Sequence, residues 1–525
     1  MRVLFVLLVL ILLASASYAQ PVNIRVSAPG LIDPEEVSIA VNPKHPNELA
    51  VGANIRYFFT STDSGQTWAS KTIDQQYGVW GDPCLLYDDS GVLYYEHLSG
   101  HGWPPRDTEF LWRIVVQRIL DEPGFDEGAE IGFAPPTMQD KAWLTSDRSQ
   151  TPSKGNLYTS WTEFDLYGSH APTDSSRIYF AKSVNYDVTW SERVRVDDTA
   201  GDCLDGSNTT EGATTAVSKD GTINVAWSAH NKIYLDRSTD GGKSFGRDRI
   251  IADQPGGWDF AVPGISRANG LPMLSSDLDT MSSYYGRLYL LWSDQRRGVT
   301  DVYFSFSSDD GSTWTSAARV NSDSAMNHHF FPSMSVDPLT GHIFIVFYDR
   351  RNYEDNQTDV YLARSTDGGA TFSNERISES AFLPYSKVFF GDYIHIVAYD
   401  RHVYPVWMRE SDSLLSVWTA PIYDSGLSLA VAQHPLPEKL WTINGQRTSL
   451  AFSLATSKHV SIELFDLLGK KVSSLLSGTF ASGEYHIAVP QDLPAAAYIA
   501  RMTAISQTND AASGFSSLVT KVVVP

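Results

Sequence analysis

Ser61-Thr62-Asp63-Ser64-Gly65-Gln66-Thr67-Trp68 is the first of five copies of one pattern. The others run from Ser183 to Trp190, Ser238 to Phe245, Ser307 to Trp314 and Ser365 to Phe372. The second copy carries Asn185 where the others have Asp. A short motif repeated at this frequency means a fold built from copies of one supersecondary unit. In the four copies with Asp the carboxylate can accept backbone N–H groups of a tight turn, and the glycine supplies a left-handed position. The closing aromatic plugs the space beside the turn. The motif aspartates therefore read as structural.

The copies start at 61, 183, 238, 307 and 365, so the first interval is about double the rest and one unit has lost its motif. Its remnant is Trp112 to Phe125. Upstream of each copy lies an apolar strand ending near Asp, then Gly and a further strand ending near Trp, as in Ala142–Asp147 with Gly155–Trp161. The same pair recurs at Thr214–Asp220 with Gly221–Trp227 and at Met273–Asp277 with Gly286–Trp292. Two more follow, Ser333–Asp337 with Gly341–Phe347 and Ile394–Asp400 with His402–Trp407, and Val37–Asn42 and Cys84–Asp88 are earlier versions. The count is seven units of about 57 residues, each read as a four-stranded antiparallel blade. The expected fold is all-β, a seven-bladed β-propeller over 22–424 followed by a small β-sandwich. Six blades, with the last unit improvised, is the alternative. The last unit lacks an outer strand, and Asn23–Ser27 is the segment that would supply it and remove exposed edges.

Both ends differ from this body. Met1-Arg2, the apolar run Val3–Leu13 and the small residues before Gln20 read as a signal peptide over 1–19. No stretch is long enough for a transmembrane helix. The formal net charge of −21 becomes −22 without Arg2, which disfavours nucleic acid, whose phosphates demand basic patches. Cys84 and Cys203, the two cysteines, read either as one bridge formed after export or as two separate buried thiols.

The five copies resemble the Asp-box, or BNR, repeats of sialidase-superfamily propellers. The resemblance implies a propeller over about 22–424 but not an activity, because such propellers include glycosidases and non-enzymatic receptors. After a linker over 425–447, residues 448–525 carry Phe465-Asp466-Leu467-Leu468-Gly469-Lys470-Lys471-Val472, Ser482–Tyr485, Ala497–Arg501 and Thr520–Val524. This run resembles a type IX secretion C-terminal sorting domain, although His434-Pro435-Leu436-Pro437 replaces the usual Asn-Pro opening and Ala497 a typical Gly. It implies passage through the periplasm to the outside or outer surface of a Gram-negative cell, with the secretion machinery as partner.

By the same resemblance, a site would lie on the face opposite the Asp-boxes, with three arginines clamping a carboxylate and a Tyr nucleophile assisted by Glu, Asp serving as acid/base. Asp294-Gln295-Arg296-Arg297, Asp349-Arg350-Arg351 and Arg409-Glu410 stand at corresponding loops of three successive units. Arg297, Arg350 and Arg409 are thus clamp candidates, while a recurring Asp/Arg pair also reads as inter-blade salt bridges. Residues that break the repeat are Glu163, Asp165, His328-His329, Asp140-Lys141 and Gly391-Asp392-Tyr393. Among them Tyr393 is the candidate nucleophile, Glu163 and Asp165 its carboxylates, and His328 a ligand to a sugar hydroxyl or a metal, from a loop. No cofactor is called for, but Asp197-Asp198, Asp202 and Asp205 offer oxygens to Ca²⁺. One departure weighs against sialic acid hydrolysis: the early inner strand Glu36–Val41 holds no arginine, and Arg56 sits by the first Asp-box. The functional expectation is a sialidase-like propeller acting on or binding extracellular carbohydrate or glycoprotein, as a glycoside hydrolase or as a non-catalytic binding propeller.

Overall fold

A computed structural model describes residues 21–100, 111–120, 124–186, 189–411, 414–425, 439–443, 449–454, 458–467, 470–480, 483–490, 493–494, 496–506 and 515–524. The expected leader, Asp187 and Val188, and most of the expected linker lie outside them. The chain divides into two compact units, 1–428 and 429–525.

Among the described residues the first unit is all-β and holds seven successive antiparallel sheets, an architecture consistent with a β-propeller. Each of the first six has four strands in chain order, for instance Met138–Ser146, Leu157–Phe164, Ser176–Ser183 and Val194–Arg195 in the third. The innermost strands open at Ser38, Cys84, Met138, Glu211, Met273, His329 and His395. In the seventh sheet, His395–Tyr399, His402–Ser411 and Leu414–Thr419 are joined by Ile24–Arg25, paired Ile24 to Thr419 and Arg25 to Trp418. The N-terminal segment thus supplies the outer strand, as expected. Among the described residues no helix is long and apolar enough to cross a membrane.

Two side-chain rules repeat within this unit. First, the second and third strands carry a cross-strand aromatic pair: Trp161 with Tyr179, Trp227 with Tyr234, Trp292 with Tyr303 and Phe347 with Tyr361, stacked at 5.8–6.3 Å. Burying each large ring contributes about 1.5–3 kcal/mol, and the stacking adds to it. Second, most innermost strands are tied to the next through a side chain. Ser38 Oγ accepts Leu85 N–H (2.9 Å), Cys84 Sγ accepts Leu144 N–H (3.4 Å) and Thr214 Oγ1 accepts Leu274 N–H (3.0 Å). His395 Nδ1 accepts Ile39 N–H (3.1 Å), which links the last innermost strand to the first. All seven line a central channel of about 590 Å³.

The repeated motif works as its chemistry predicts. Asp309 Oδ1 accepts Thr313 N–H (2.8 Å) and Ser307 Oγ–H (2.8 Å), and Gly311 N–H donates to Ser307 Oγ (2.9 Å). The copies at Asp63, Asp240 and Asp367 repeat these bonds, and Asn185 takes the same place in the variant copy. The Thr67 hydroxyl and N–H hold Asp63 down to about 2. The closing aromatics do more than fill their own turn, since Phe245 packs edge-on against Phe180 and Phe372 against Phe304, each in the preceding sheet. Phe125, in the unit that lost its motif, keeps that contact with Phe58.

Cys84 and Cys203 are separate buried thiols. In the second unit, one sheet pairs Lys439–Ile443, Ser449–Leu454 and Gly483–Ala488. The other pairs Lys471–Phe480, Lys458–Phe465, Ala496–Ser506 and Phe515–Val524. Both contribute to one core that includes Phe452, Ile462 and Met502. Lys439–Ile443 falls inside the stretch read as linker.

Glycines at left-handed positions separate two costs. A Cβ on Gly369 (φ +84°) would stand 2.2 Å from Phe304, whereas Gly298 has the same φ and nothing within 4 Å. Gly369→Ala is expected to cost about 2–4 kcal/mol in denaturant unfolding, and Gly298→Ala about 1 kcal/mol. Equal losses would mean that the turn conformation alone matters, not the approach of neighbouring sheets.

Candidate functional site

Antiparallel pairing fixes which end of the sheets holds which groups. In the third sheet Met138 faces Phe164 and Ser146 faces Leu157, so the innermost strand starts where the second strand ends. The Asp-box turns follow the third strands and lie at the other end. At the starting end, the innermost strands open with a residue in the left-handed region: Glu36 (φ 53°), Asp82 (φ 50°), Lys141 (φ 52°), Gly212 (φ 73°) and Phe331 (φ 50°). In the third, fourth and sixth sheets it sits in a bulge, between Asp140/Trp143, Glu211/Thr214 and Phe330/Ser333. Four of these residues are not glycine, and such strain clusters at functional sites.

These openings gather charge around one lysine. Lys141, with 9% of its side chain exposed, places Nζ 2.6 Å from Asp392 and 3.6 Å from both Asp82 and Glu36. Burial opposes its charge, but Asp392 and Asp82 hold the ammonium well above the usual lysine range. Arg267 donates from Nε to Asp392 (2.8 Å) and from Nη1 to Asp205 (2.9 Å), and Tyr167 Oη–H donates to the same Asp205 oxygen. Asn54 Nδ2–H donates to Glu36.

The carboxyls here divide by protonation state. Despite burial, Lys141 and Arg267 hold Asp392 down to about 2. Asp82 also lies below the usual range, through Lys141. Burial and neighbouring carboxylates push Glu36, Asp140 and Glu211 well up, and Glu35 up to about 8. Buried carboxyls of opposite state side by side are the arrangement acid/base chemistry uses. Beside them is a cavity of about 70 Å³ lined by Asp82, Lys141, Trp143, Phe331, Asp392 and Tyr393, among others.

An inserted hairpin packs over this end. Residues 254–272, between the fourth and fifth sheets, contain the short strands Asp259–Phe260 and Ala268–Asn269. Phe260, Val262 and Ile265 share a core with Phe331, Phe382 and Phe390. Gln295 Nε2–H donates to Ala261 O (2.9 Å) and Arg350 Nη1–H to Pro263 O (2.6 Å). The hairpin also delivers Arg267, and Asn269 Nδ2–H reaches Asp392 O (2.9 Å).

The sequence-predicted residues distribute as follows. Tyr393 lines the cavity, with Lys141 Nζ 5.2 Å from its ring centroid. Burial and Asp82 raise its phenol, so it is a neutral hydroxyl at neutral pH. Glu163 is engaged by Arg193, and Asp165 is held bidentately by Arg177 (2.7 and 2.9 Å). Neither lines the cavity. Nor do the three arginines converge on it. Arg297 pairs with Asp301 (3.1 Å), Arg350 is buried beneath the hairpin and lowered by burial to about 10, and Arg409 donates to Ser380 Oγ (2.8 Å). The recurring Asp/Arg pairs close within their own loops, Asp294 with Arg296 and Asp349 with Arg351 at 2.5 Å, each guanidinium over a Tyr ring at 4.2 Å. Both also reach towards the preceding sheet, Arg296 at Asp253 O (2.9 Å) and Arg351 at Asp323 (3.7 Å).

His328 lies against Thr300 Oγ1 (3.1 Å), and burial and Arg350 lower it to about 4. His329 is no loop residue: it opens an innermost strand, fully buried, with Asp323 at 3.1 Å and Asp301 and Asp349 at 3.5 Å. Burial opposes its charge, but Asp349 and Asp301 push it up to about 9. Asp323, His329 and Asp349 have the spacing of metal ligands. However, Arg297, Arg319 and Arg351 and the imidazolium already balance these aspartates, so the group reads as an ion-pair lattice. The acidic loop does not converge either. Asp197 pairs with Arg195, Asp198 N–H donates to Asp248, Asp202 accepts from Thr209 and Asp205 pairs with Arg267.

No protein-family model matches the chain, and no curated protein matches it in sequence. Among solved structures, it is similar to a protein of unknown function from Dyadobacter fermentans, at 12% identity over 63% of this chain and 95% of that one (TM-score 0.44). It is similar to the NanB sialidase from Streptococcus pneumoniae, at 11% identity over 78% and 72% (TM-score 0.41). A third is Trypanosoma rangeli sialidase, at 11% identity over 87% and 86% (TM-score 0.38). These scores carry no activity over to this chain, and the architecture rests on the strand pairing above.

Two substitutions probe the buried charges. Lys141→Met leaves Asp392, Asp82 and Glu36 facing one another and is expected to cost about 3–5 kcal/mol of unfolding free energy. His329 has a folded-state pKa above its unfolded value. Its stabilisation is therefore complete below about pH 6.5 and lost as pH rises through about 9. The melting difference between the wild type and His329→Gln should correspond to about 3 kcal/mol at pH 6 and nearly vanish at pH 10. A pH-independent difference would mean that packing, not the imidazolium, holds the lattice.

Proposed function

We propose that this chain is a secreted or cell-surface propeller of seven blades that acts on extracellular glycans through the carboxyl cluster around Lys141. One observation carries the reading. Buried carboxyls in opposite protonation states stand beside a cavity at the end of the sheets away from the Asp-box turns. The glycosidase role then falls to Asp82, ionised and lining the cavity, as base or nucleophile. Glu211 or Asp140, kept protonated, would be the acid. Tyr393 serves as a neutral donor to substrate rather than a tyrosinate nucleophile. The sialidase-superfamily resemblance of the Asp-boxes supports a carbohydrate substrate, and the absence of an arginine from Glu36–Val41 argues against a sialic acid. The second unit, with a core of its own, fits the role of a sorting domain that directs export.

A second reading, a non-catalytic glycan-binding propeller, is favoured by the size of the cavity. At about 70 Å³ it admits a small substituent and not a sugar ring. Incubating the mature protein with fluorogenic glycosides, sialosides included, separates the two. The enzyme reading expects turnover of a neutral or basic glycoside that falls about 10²–10⁴-fold in Asp82→Asn. No turnover on any glycoside, with retention on a glycan array, would establish the binding reading instead.

A further inference from the structure

The first unit holds a second space, and its size and lining differ from those at the cluster. The central channel, about 590 Å³, falls inside the range of small-molecule sites, whereas the cavity of about 70 Å³ is far below it. Trp143 and Met273 line both spaces, which makes them the partition. Trp143 is held there by edge-on contacts with Tyr393 (5.8 Å) and His395 (5.2 Å). The channel is therefore blind towards the hairpin. Its exposed lining residues, Lys44, Asp89, Gln150 and Leu339, stand past the far ends of the innermost strands. It opens on the face that carries the Asp-box turns.

The mouth sets planar polar groups, donors and acceptors both, beside aromatic rings. Arg148 Nη2–H donates to Tyr87 O (3.1 Å), but its buried Nε makes no hydrogen bond among the described residues and lies 3.6 Å from Asp89. Lys154 Nζ is 3.4 Å from the same carboxylate, and both side chains are nearly half exposed. Gln150 adds an exposed amide, Tyr87 and Tyr399 add rings, and Thr145 and Ser275 add hydroxyls along the wall. A guanidinium, a carboxylate and an amide each present two polar atoms at a fixed separation, as two adjacent sugar hydroxyls require. The negative face of an aromatic ring matches the C–H face of the same sugar.

Charge favours neither kind of ion here. Lys44, Arg148 and Lys154, which line the mouth, oppose a positive ligand. A negative one is opposed by Asp89 and by Asp88, Asp147, Asp277 and Asp337, buried at the strand ends, where each accepts turn N–H groups.

We infer that the channel is a second carbohydrate site, which takes the terminal ring of an uncharged glycan end-on from the Asp-box face. The inference goes beyond the chemistry proposed at the cluster, because the partition separates the two ends and either site can fail alone.

Both native cysteines are buried, so an introduced thiol at the mouth can be labelled by itself. Gln150→Cys in the full mature chain is modified with a bulky maleimide, and Ile250→Cys, exposed on an outer strand, carries the same label as control. Titration calorimetry uses maltotriose, cellotriose, triacetylchitotriose and trigalacturonate. At least one of the three neutral trisaccharides is expected to bind the wild type, unlabelled Gln150→Cys and labelled Ile250→Cys alike. Its affinity should fall at least about tenfold on labelled Gln150→Cys and stay within about twofold in Asp82→Asn, at the far end. Should unlabelled Gln150→Cys bind less than the wild type, Lys44→Cys takes its place. Binding that survives the label at the mouth overturns the inference; if Asp82→Asn then removes it, the sugar sits at the cluster and the proposed chemistry there stands. Tighter binding of trigalacturonate than of any neutral trisaccharide overturns the uncharged class. Binding of none of the neutral three overturns the inference, and turnover of fluorogenic glycosides still decides the cluster separately.

Discussion

Most innermost strands hand a side-chain acceptor to a backbone N–H of the next, and the meeting of neighbouring sheets depends on that handover. A sheet that faces its neighbours edge-inward has backbone donors pointing into a channel, where an unmet donor is costly. Ser38, Cys84 and Thr214 meet those donors from the preceding strand, and His395 meets that of Ile39. The outer side of the same problem is solved by the Asp-box aromatics, which seat on the preceding sheet. One set of contacts spaces the strands at the channel and the other spaces them near the rim. Together they leave little freedom in how one sheet meets the next.

That rigidity is what allows charge to be buried at one end. Six carboxyls around two cations would repel one another apart in a soft scaffold, yet here several are held protonated and two ionised within a few ångströms of Lys141. The left-handed openings of Glu36, Asp82 and Lys141 bring these side chains together, and the hairpin over them adds Arg267 and Asn269 as donors to Asp392. The far end of the same sheets carries short aspartate turns that bond within themselves and to side chains of the preceding unit, as Arg237 Nη1–H does to Asp310 O (2.6 Å) and Arg287 Nη1–H to Gly368 O (2.8 Å). One end of each sheet therefore stores turn geometry and the other stores unfavourable charge.

Much of the fold was legible because its signals are local. The Asp-box turns, the glycines and the Trp/Tyr pairs each depend on residues within a few positions or across one hairpin. Ile24–Arg25 could be assigned to the last sheet because that unit was one strand short. The strand Lys471–Phe480 escaped notice because it is largely solvent-facing and its serines blur the alternation. In the site, Asp140-Lys141 and Asp392-Tyr393 stood out as breaks in the repeat, but nothing in the chain says that residues 251 positions apart share a proton field. Arg267 and Glu211 passed unnoticed, Asp205 was read as an oxygen for Ca²⁺ although it pairs with Arg267, and Arg350 looked like a ligand clamp although it holds a hairpin. Aligning the innermost-strand openings would have been the one usable signal, since Glu36, Asp82 and Lys141 occupy equivalent places in three successive units.

By itself the sequence determined the repeated sheet, its turns and the strand that completes the last one, because these follow from side-chain hydrogen bonds and hydrophobic alternation at short range. Only the tertiary structure decided which carboxyls face which cations. Electrostatic pairing acts through space and across sheets, and its strength is set by burial, which no local stretch of sequence specifies. The same reason separates Glu163 and Asp165, neutralised within their own sheet, from Asp82 and Glu211, which answer to charges in neighbouring sheets.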